Sequence, residues 1–384
     1  MKEKPSIRVT ILLACLIIAM RGKGVKCIQQ GKNNRGVTMN RQVNKTILVE
    51  GGDYYDCVDV HLQPAFNHPL LEDHKIQMEP SSIPSSVYTK PPGTYDIPQA
   101  QFTFVECPIG TVPVLHNSRR DHTELQTIDE VISKDEQQEE AGIMYLDVLY
   151  GTRARIIIYE PKVNTNSKDR SASVIQINGR QKVGRADGIG AGSWVSPSYC
   201  GDSFARFHVY WDDDLLNKSC VDHQCPGFVQ VNPKFGLGGR IQPVSVYNGP
   251  QYIIEVLIFK DPMTKNWWVT YGEQNTPIGY WPREIFHFMR DNSDFAFWGG
   301  IVQGPTASSD SPQMGSCHFA SEGYGKATCV GYIQIVDNKN HLVTPNDKKA
   351  FPSTVQVLIK LSLHNFFLSW TYTSCCKFIM LGCL

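Results

Sequence analysis

The sequence predicts a mostly β protein: an antiparallel β-sandwich of two stacked sheets, preceded by a smaller N-terminal domain. Closely spaced β-branched and aromatic runs are separated by turn residues, of which the chain holds 31 Gly and 23 Pro. Long helical periodicity is almost absent, which favours sheet-on-sheet packing. Since 384 residues exceed the usual size of one domain, two domains are expected.

Composition limits the function classes. Lys and Arg number 37 against 37 Asp and Glu, whereas a nucleic-acid binder normally carries a basic excess. Apolar residues make up 41% of the chain, which argues against disorder. The composition therefore indicates a large, neutral, folded protein.

The N-terminus has the pattern of a secretory signal peptide, assigned to residues 1–25. A basic stretch precedes the apolar run VTILLACLIIAM at 9–20, which is short for a membrane span. An uncleaved signal anchor is the alternative. Secretion permits disulfides among the 12 Cys and makes the sequons at Asn44 and Asn217 glycosylation sites.

The order of elements predicts the domain boundaries. We assign a first domain, which holds Cys57 and Cys107, to residues 46–114, and a charged linker with some helix near 124–132 to residues 115–140. A strand-rich second domain is assigned to 141–346 and a divergent tail to 347–384. A Pro- and Ser-rich loop at 79–93 crosses the first domain. Strands are predicted at 154–159, 204–211, 252–259, 267–271 and 331–337.

Two details of the second domain follow from local sequence. Pro282 opens a predicted short helix at 283–290, because proline suits the first turn. The runs at 252–259 and 267–271 form a hairpin with a longer loop, and alternation places Trp267 and Trp268 on opposite sheet faces.

The usual catalytic and metal motifs are weak. The glycine run at 184–192 lacks the context of a nucleotide loop, so we predict a turn or bulge beside a strand. Cys220 and Cys225 flank His223, which favours a local disulfide over zinc. The acidic stretch 212–214 indicates a solvated turn rather than a calcium loop. The eleven His mark no recognisable site, and no metal or cofactor is expected.

Ordered motifs over about residues 46 to 340 resemble the neprosin family of plant secreted proteins. The first domain carries DCVD, QPAFNHPLL and CPIGTVP, at 56–59, 63–71 and 107–113. The second carries YGTRA, PGFVQ, SVYNGPQY, KDP, NWW, GYWP, WGG and QMGS, starting at 150, 226, 245, 260, 266, 279, 298 and 313. The resemblance implies an activation-peptide pro-domain and a catalytic-type β-sandwich with a cleft on one face.

The best-known members are glutamic prolyl endopeptidases, whose chemistry needs two Glu carboxylates, one as base toward water and one as acid. One family Glu lies in I-E-A-G-W, and the matching residue is Gly190. The other follows W-G-G, and the matching residue is Ile301. Both carboxylates are absent, so no catalytic residue is assigned.

Other positions are candidate substitutes for the missing carboxylates or neighbours of the cleft. Asp187, Glu273 and Asp294 are the acids considered as replacements, although the odd offset of Asp187 points it to the other face of a strand. Trp194 and Trp298 are expected to line the cleft. Cys317 and Cys329 are expected either to bridge neighbouring strands or to pair with Cys200.

These residues predict a secreted, non-catalytic neprosin-like protein, located outside the cell, in the wall or in the vacuole. Its expected partners are Pro-containing peptides or extracellular polymers, with no nucleic acid and no stable membrane span. An active endopeptidase with substitute acids and a purely structural extracellular component are the alternatives. Without self-cleavage, residues 46–114 stay attached unless another protease cuts the linker, where Arg119 and Arg120 form a dibasic site.

Overall fold

A computed structural model of the protein describes residues 43–86, 97–116, 137–180, 186–213, 218–319, 322–354 and 379–381. Within these ranges the fold is mostly β, as predicted, and the one α-helix is the four-residue α1, Pro197–Cys200. The strands, numbered in chain order from β1 to β19, are Val43–Leu48, Tyr54–Asp59, Ser85–Ser86, Thr111–Leu115, Gln138–Tyr145, Gly151–Ile157, Arg170–Arg180, Ala186–Val195, Arg206–Asp213, Lys218–Val221, Val229–Gln230, Ile253–Lys260, Trp267–Tyr271, Thr276–Trp281, Phe295–Gln303, Thr328–Val336, His341–Val343, Ala350–Thr354 and Ile379–Leu381.

Two large sheets form the sandwich. One has seven strands in the order β10-β9-β8-β7-β15-β5-β18, all antiparallel. The other has nine, in the order β11-β14-β13-β12-β6-β16-β17-β3, with β19 also pairing with β16. In this second sheet β3 and β17 pair in parallel.

The main core lies between the two sheets. The seven-stranded sheet contributes residues such as Ile175, Ile189 and Trp298, and the nine-stranded sheet contributes residues such as Val256 and Trp267. Trp268 belongs instead to a cluster on the outer side of the nine-stranded sheet. The two adjacent indoles therefore lie on opposite faces, which confirms the prediction from alternation.

The N-terminal region forms a small sheet and also packs on the sandwich. Strands β1, β2 and β4 pair in the order β1-β2-β4, and the Cys57–Cys107 disulfide joins this sheet to the segment before β4, with a Cα–Cα distance of 5.5 Å. Ala65, Phe66 and Ile76 pack on the outer side of the nine-stranded sheet. This region is thus part of the same hydrophobic structure as the sandwich.

The predicted helix at 283–290 is wrong. Only Arg283–Ile285 is helical, as a single 3₁₀ turn, and Phe286 after it is extended. The Met289 carbonyl accepts from Trp267 Nε1 at 2.8 Å and Lys260 Nζ at 3.1 Å. Tertiary partners from β12 and β13 thus satisfy this backbone in place of a helical ladder.

One further expectation is corrected by the sheets. Within the glycine run at 184–192, residues from Ala186 onward form the regular strand β8 rather than a turn, and residues 188–194 pair on both sides. Near the C-terminus, β18 pairs with β5 and widens the seven-stranded sheet.

Some expectations lie outside the described residues. These are the signal peptide, the helix near 124–132, and the dibasic pair at 119–120. Among the described residues, no helix is long and apolar enough to span a bilayer.

Candidate functional site

Gly190 and Ile301 lie on one face of the seven-stranded sheet. Gly190 in β8 is opposite Gln176 in β7, which in turn is opposite Phe297 in β15. Ile301 is two alternations beyond Phe297 on the same strand. Because directly opposite and alternate residues share a face, both positions point away from the nine-stranded sheet. We call this side the Gly190 face; its apolar members are Ala172, Val174, Trp194, Tyr210, Phe297 and Ile301.

The side chain of Tyr210 fills the space beside Gly190. A Cβ placed on Gly190 would lie 2.3 Å from both Cζ and the hydroxyl oxygen of Tyr210, far inside contact distance. The Tyr210 hydroxyl donates to Gln176 Oε1 at 3.1 Å. Burial, followed by the nearby Asp212 carboxylate, raises the pKa of Tyr210 well above its ordinary value. The neutral phenol of Tyr210 therefore occupies the space into which a side chain at position 190 would project.

Ile301 is half-buried on the same face and has a carboxylate next to it. Glu140 in β5 lies directly opposite Ile301. Ser353 Oγ, from β18, donates a hydrogen bond to Glu140 Oε1. The acid nearest in register to position 301 is thus on the neighbouring strand and already bonded to a hydroxyl.

The two tryptophans expected in the cleft lie on opposite faces of the seven-stranded sheet. Trp194 belongs to the Gly190 face, with Arg170 Cζ 5.4 Å from its ring centroid. Trp298 does not line that face; it is 1% exposed in the main core, and its Nε1 donates to Thr152 Oγ1 at 2.8 Å. The correction follows from alternation, because Trp298 is an odd number of residues from Ile301 on one regular strand.

Two of the three acids considered as replacements, Asp187 and Glu273, stand away from the Gly190 face. Asp187 is on the core side of β8, fully buried, and Oδ2 accepts from the backbone N–H of Met289 at 3.1 Å. Burial raises the pKa of Asp187 despite these backbone donors. Glu273 follows β13 in the other sheet and pairs with Arg155 at 2.6 Å. Asp294 precedes β15, seven residues before Ile301.

The face does carry another acid that sequence reasoning placed elsewhere. Asp212 was expected in a solvated turn, but it lies in β9 opposite Gly188 and accepts from Ser219 Oγ at 2.6 Å. A Cβ on Gly188 would lie 3.1 Å from Asp212 Oδ2. The strand periodicity of RFHVYWDD was the signal that predicts this placement.

The cysteines form a pattern that the sequence resolved only in part. The Cys220–Cys225 disulfide is present, with a Cα–Cα distance of 5.6 Å. Cys317 is disulfide-bonded, whereas Cys200 and Cys329 are thiols, so neither pairing considered for Cys317 with those two residues is formed. Asn44 is exposed in β1, and Asn217 lies outside the described residues.

His208 also belongs to the Gly190 face, opposite Gly192, and there it meets Cys200 and Asp222. Their spacing along the chain carries no recognisable motif, since only the fold brings α1, β9 and the turn after β10 together. This constellation was missed by sequence reasoning.

A cavity of about 540 Å³ lies elsewhere, where the N-terminal region meets the hairpin side of the nine-stranded sheet. Its charged lining comes from Glu72, Asp73, His74, Lys75 and Glu284. Because it shares no residue with the Gly190 face, its position bears on the packing of the N-terminal region rather than on positions 190 and 301.

Comparison with known proteins gives a family match and distant structural likenesses. The Neprosin family model matches residues 167–361, and the Neprosin activation peptide model matches residues 46–148. Among solved structures, scytalido-glutamic peptidase with a transition-state analog inhibitor is 10% identical, with a TM-score of 0.32, covering 59% of this chain and 90% of that one. SCP-B, of the eqolisin family of peptidases, in complex with the tripeptide Ala-Ile-His, is 8% identical, with a TM-score of 0.29 and coverage of 59% and 89%. The Ruminococcus gnavus IT-sialidase CBM40 bound to α2,6 sialyllactose is 12% identical, with a TM-score of 0.21 and coverage of 47% and 95%.

Proposed function

Because the chain belongs to the neprosin family, we propose that it is a secreted, glycosylated homologue that has lost the glutamic peptidase chemistry and binds Pro-containing peptides or wall components. The observation that carries the proposal is the pair Gly190 and Ile301. They share one face of one sheet, and neither supplies a carboxylate. Losing one acid–base group costs about 10²–10⁴ in rate, and losing both removes the means of activating water.

The side chains beside these positions support loss of chemistry with retention of a binding surface. Tyr210 occupies the space at Gly190, and its neutral hydroxyl is engaged with Gln176. Aromatic rings remain on the same face at Trp194, Tyr199 and Phe297. Such rings offer apolar surface to the pyrrolidine ring of proline, and a phenol cannot replace a carboxylate as base at acidic or neutral pH.

Secretion is supported by the disulfides. Cys57–Cys107 and Cys220–Cys225 are the kind of bridge that persists in oxidising compartments. Asn44 is exposed, as a glycan acceptor must be. Detection of glycosidase-sensitive protein in the medium of an expressing cell tests this part; retention of the full chain inside the cell contradicts it.

Retention of the pro-domain is part of the same proposal. Arg206 in β9 pairs with Asp53 of the N-terminal region at 2.7 Å, and both side chains are buried. Gln77 and Ser81 donate to Asp261 on the far side of the sandwich. We expect residues 46–114 to stay attached unless another protease cuts the linker. Intact-mass and size-exclusion analysis of the native secreted protein check this, and a product that begins near 141 without its N-terminal region contradicts it.

The decisive experiment restores the acids. The unmodified chain should not cleave a Pro-containing peptide at any pH from 3 to 7. The variant Gly190→Glu with Ile301→Glu and Tyr210→Ala should cleave after Pro, because removing the phenol makes room for the new side chain. Its matched control carries Gly188→Glu in place of Gly190→Glu, which puts the same charge one alternation away on the same face. Cleavage after Pro by the unmodified chain overturns the proposal.

Binding needs its own measurement. Titration of the unmodified chain with a Pro-containing peptide, followed by calorimetry, should give saturable binding that Ile301→Arg weakens at least ten-fold. Met263→Arg is the control, since Met263 is 78% exposed and lies in a turn of the other sheet. If the chain bound a wall polysaccharide and not the peptide, the ligand in the proposal would be a wall component. Absence of both would favour the purely structural component.

The alternative is an active endopeptidase that uses substitute acids. The strands of the Gly190 face carry the carboxylates of Asp212 and Glu140, while Asp187 and Glu273 stand elsewhere. If the unmodified chain shows peptidase activity, this alternative predicts that Asp212→Asn and Glu140→Gln abolish it and that Glu273→Gln does not.

A further inference from the structure

We propose that Cys200, His208 and Asp222 form a nucleophilic thiol site on the Gly190 face that accepts acyl groups from esters with apolar or aromatic substituents. This site does not use Gly190 or Ile301, on which the proposed function depends, although it shares Trp194 and Tyr199 with the proposed binding surface. The two proposals can therefore fail separately.

The three side chains are aligned as nucleophile, base and positioning group. Cys200 Sγ lies 3.8 Å from His208 Nε2, and His208 Nδ1 lies 2.6 Å from Asp222 Oδ2. The second oxygen of Asp222 accepts from the Val209 N–H at 3.0 Å, which fixes the carboxylate. A carboxylate on Nδ1 leaves Nε2 facing the thiol, which is the arrangement of an activated cysteine.

The backbone around Asp222 is held for this contact. Asp222 has φ +48°, in the left-handed region that costs most residues energy. It lies inside the short loop that the Cys220–Cys225 disulfide closes. Gly238 passes close by, since a Cβ there would lie 3.2 Å from Asp222 Oδ2. A strained residue held by a disulfide and a glycine is typical of a positioned functional group.

Charge favours an imidazolium at His208. Burial lowers the pKa of His208, but the Asp222 carboxylate and Cys200 outweigh it and raise that pKa to about 9. Arg206, held by Asp53 and Asp202, also interacts electrostatically with Cys200, and Tyr55 packs against the same group of charges. A thiol whose sulfur lies 3.8 Å from an imidazolium nitrogen has the partner that activates reactive cysteines.

The site has access and adjacent donors. Cys200 is half-buried at the C-terminal end of α1, not enclosed like Cys329. The Trp194 and Tyr199 rings lie 5.1 and 5.8 Å from the His208 ring, so an apolar acyl group would contact aromatic surface. Trp194 Nε1 and Ser196 Oγ are buried and have no hydrogen-bond partner among the described residues.

The chemistry balances with water as the only co-reactant. The Cys200 thiolate attacks the ester carbonyl, an S–C bond forms, the C–O bond breaks, and the departing alkoxide takes the proton from His208 Nε2. Water then attacks the thioester while Nε2 takes its proton; the C–S bond breaks, the acid leaves and the thiolate returns.

The first test measures thiol reactivity in the full chain with iodoacetamide and site-resolved mass spectrometry. At pH 6 Cys200 should react about ten-fold or more faster than in the unfolded chain, because an ordinary thiol is mostly protonated there. Cys329 in the same molecule is the internal control and should react more slowly than in the unfolded chain. A Cys200 rate at or below the unfolded rate overturns the proposal.

The second test separates positioning from structure. The Cys200 rate should be nearly constant from pH 6 to 9, whereas Asp222→Asn should make it rise with pH as an ordinary thiol does. Asp222→Glu should partly restore the flat profile. An unchanged profile in a folded Asp222→Asn chain, checked by circular dichroism, contradicts the role of Asp222.

The third test supplies an acyl group. With p-nitrophenyl acetate the full chain should release about one equivalent of nitrophenolate in a burst and carry the acetyl group on Cys200. Cys200→Ser should lose the burst, and Cys329→Ser should keep it. Acetylation spread over surface lysines without a burst overturns the acyl-accepting role.

Discussion

The two outer faces of the sandwich differ in what covers them and in what their polar groups do. We call the outer side of the nine-stranded sheet the Trp268 face, formed by Leu257, Phe259, Trp268, Tyr280 and Val336. There the N-terminal region packs on the apolar residues and its polar groups are paired with the sheet. On the Gly190 face, Tyr210 fills the space beside Gly190, and the buried donors Trp194 Nε1 and Ser196 Oγ have no hydrogen-bond partner among the described residues. A thiol lies next to an imidazole there. The difference is that the Trp268 face is covered by the N-terminal region, whereas the Gly190 face places a thiol and an imidazole side by side.

The largest expected effect concerns Asp261, which fixes the N-terminal region at the edge of the Trp268 face. Asp261 is fully buried and accepts from Ser81 Oγ at 2.8 Å, Gln77 Nε2 at 3.0 Å and the Thr264 N–H at 2.9 Å. Asp261→Ala should lower the free energy of unfolding by about 3 kcal/mol or more, because several donors lose a charged acceptor. Urea denaturation followed by tryptophan fluorescence measures it.

Asp291→Ala is the control for Asp261, since Asp291 is exposed and its pair with Arg283 is long, at 3.3 Å. A loss as small as that of the control would show that the N-terminal region is not anchored there. The pKa of Asp261 is lowered: burial raises it, but the donors prevail. The stability it contributes is therefore present above the ordinary Asp pKa and is lost as pH falls through the lowered value.

The second effect is the pH dependence of the free energy of unfolding, to which the buried side chains His208 and Lys260 contribute with opposite signs. The pKa of His208, raised to about 9, gives stability that is present below the ordinary His value and lost as pH rises through 9. Burial, and then Arg283, lower the pKa of Lys260 to about 7, so stability rises with pH from 7 toward the ordinary Lys value. The unmodified chain should thus show a shallow profile between pH 7 and 9.

Single variants should separate the two contributions. Lys260→Met should leave a free energy of unfolding that falls from pH 7 to 9, on the order of 3 kcal/mol in total, and His208→Gln should leave one that rises. Denaturation at pH 6, 7.5 and 9 checks both. A profile unchanged by His208→Gln would contradict the charged pair on the Gly190 face.

The third effect tests whether Tyr210 occupies the place of a side chain at 190. Gly190→Ala should cost about 1–3 kcal/mol, since the added Cβ overlaps the phenol ring. In a Tyr210→Ala background the same change should cost under about 0.5 kcal/mol, so a double-mutant cycle gives a coupling of about 1 kcal/mol or more. Gly188→Ala, whose nearest atoms are side-chain ends at 3.1 Å, is the matched control. Additive costs would show that the ring moves aside freely.

The smallest effect is expected at Glu273, in the turn after β13. Its carboxylate meets Arg155 at 2.6 Å but is 58% exposed. Glu273→Gln should change the free energy of unfolding by less than about 1 kcal/mol, because exposed ion pairs contribute little. Thermal unfolding against the unmodified chain measures it, and a loss like that of Asp261→Ala would assign Glu273 a structural role beyond this pair.

Much of the fold was predictable because aromatic and β-branched runs between turn residues indicate strands. The strand at 267–271 followed from such a run, and the opposite faces of Trp267 and Trp268 followed from the alternation of successive side chains along a strand. The helix at 283–290 failed because the backbone of Met289 finds partners on two distant strands, which no local pattern records. The expectation for Trp298 was wrong because it was taken from the W-G-G motif of the family. Trp298 is an odd number of residues from Ile301, so alternation along the strand places the two side chains on opposite faces.

The sequence by itself determined the fold class, the family motifs and the absence of carboxylates at positions 190 and 301, since these depend on residue type and order. Only the tertiary structure decided that Tyr210 fills the space at Gly190, that Asp212 and Glu140 stand on the same face, and that Cys200, His208 and Asp222 meet. The physical reason is that these contacts join different strands through sheet register, and register is set by the packing of the whole sandwich.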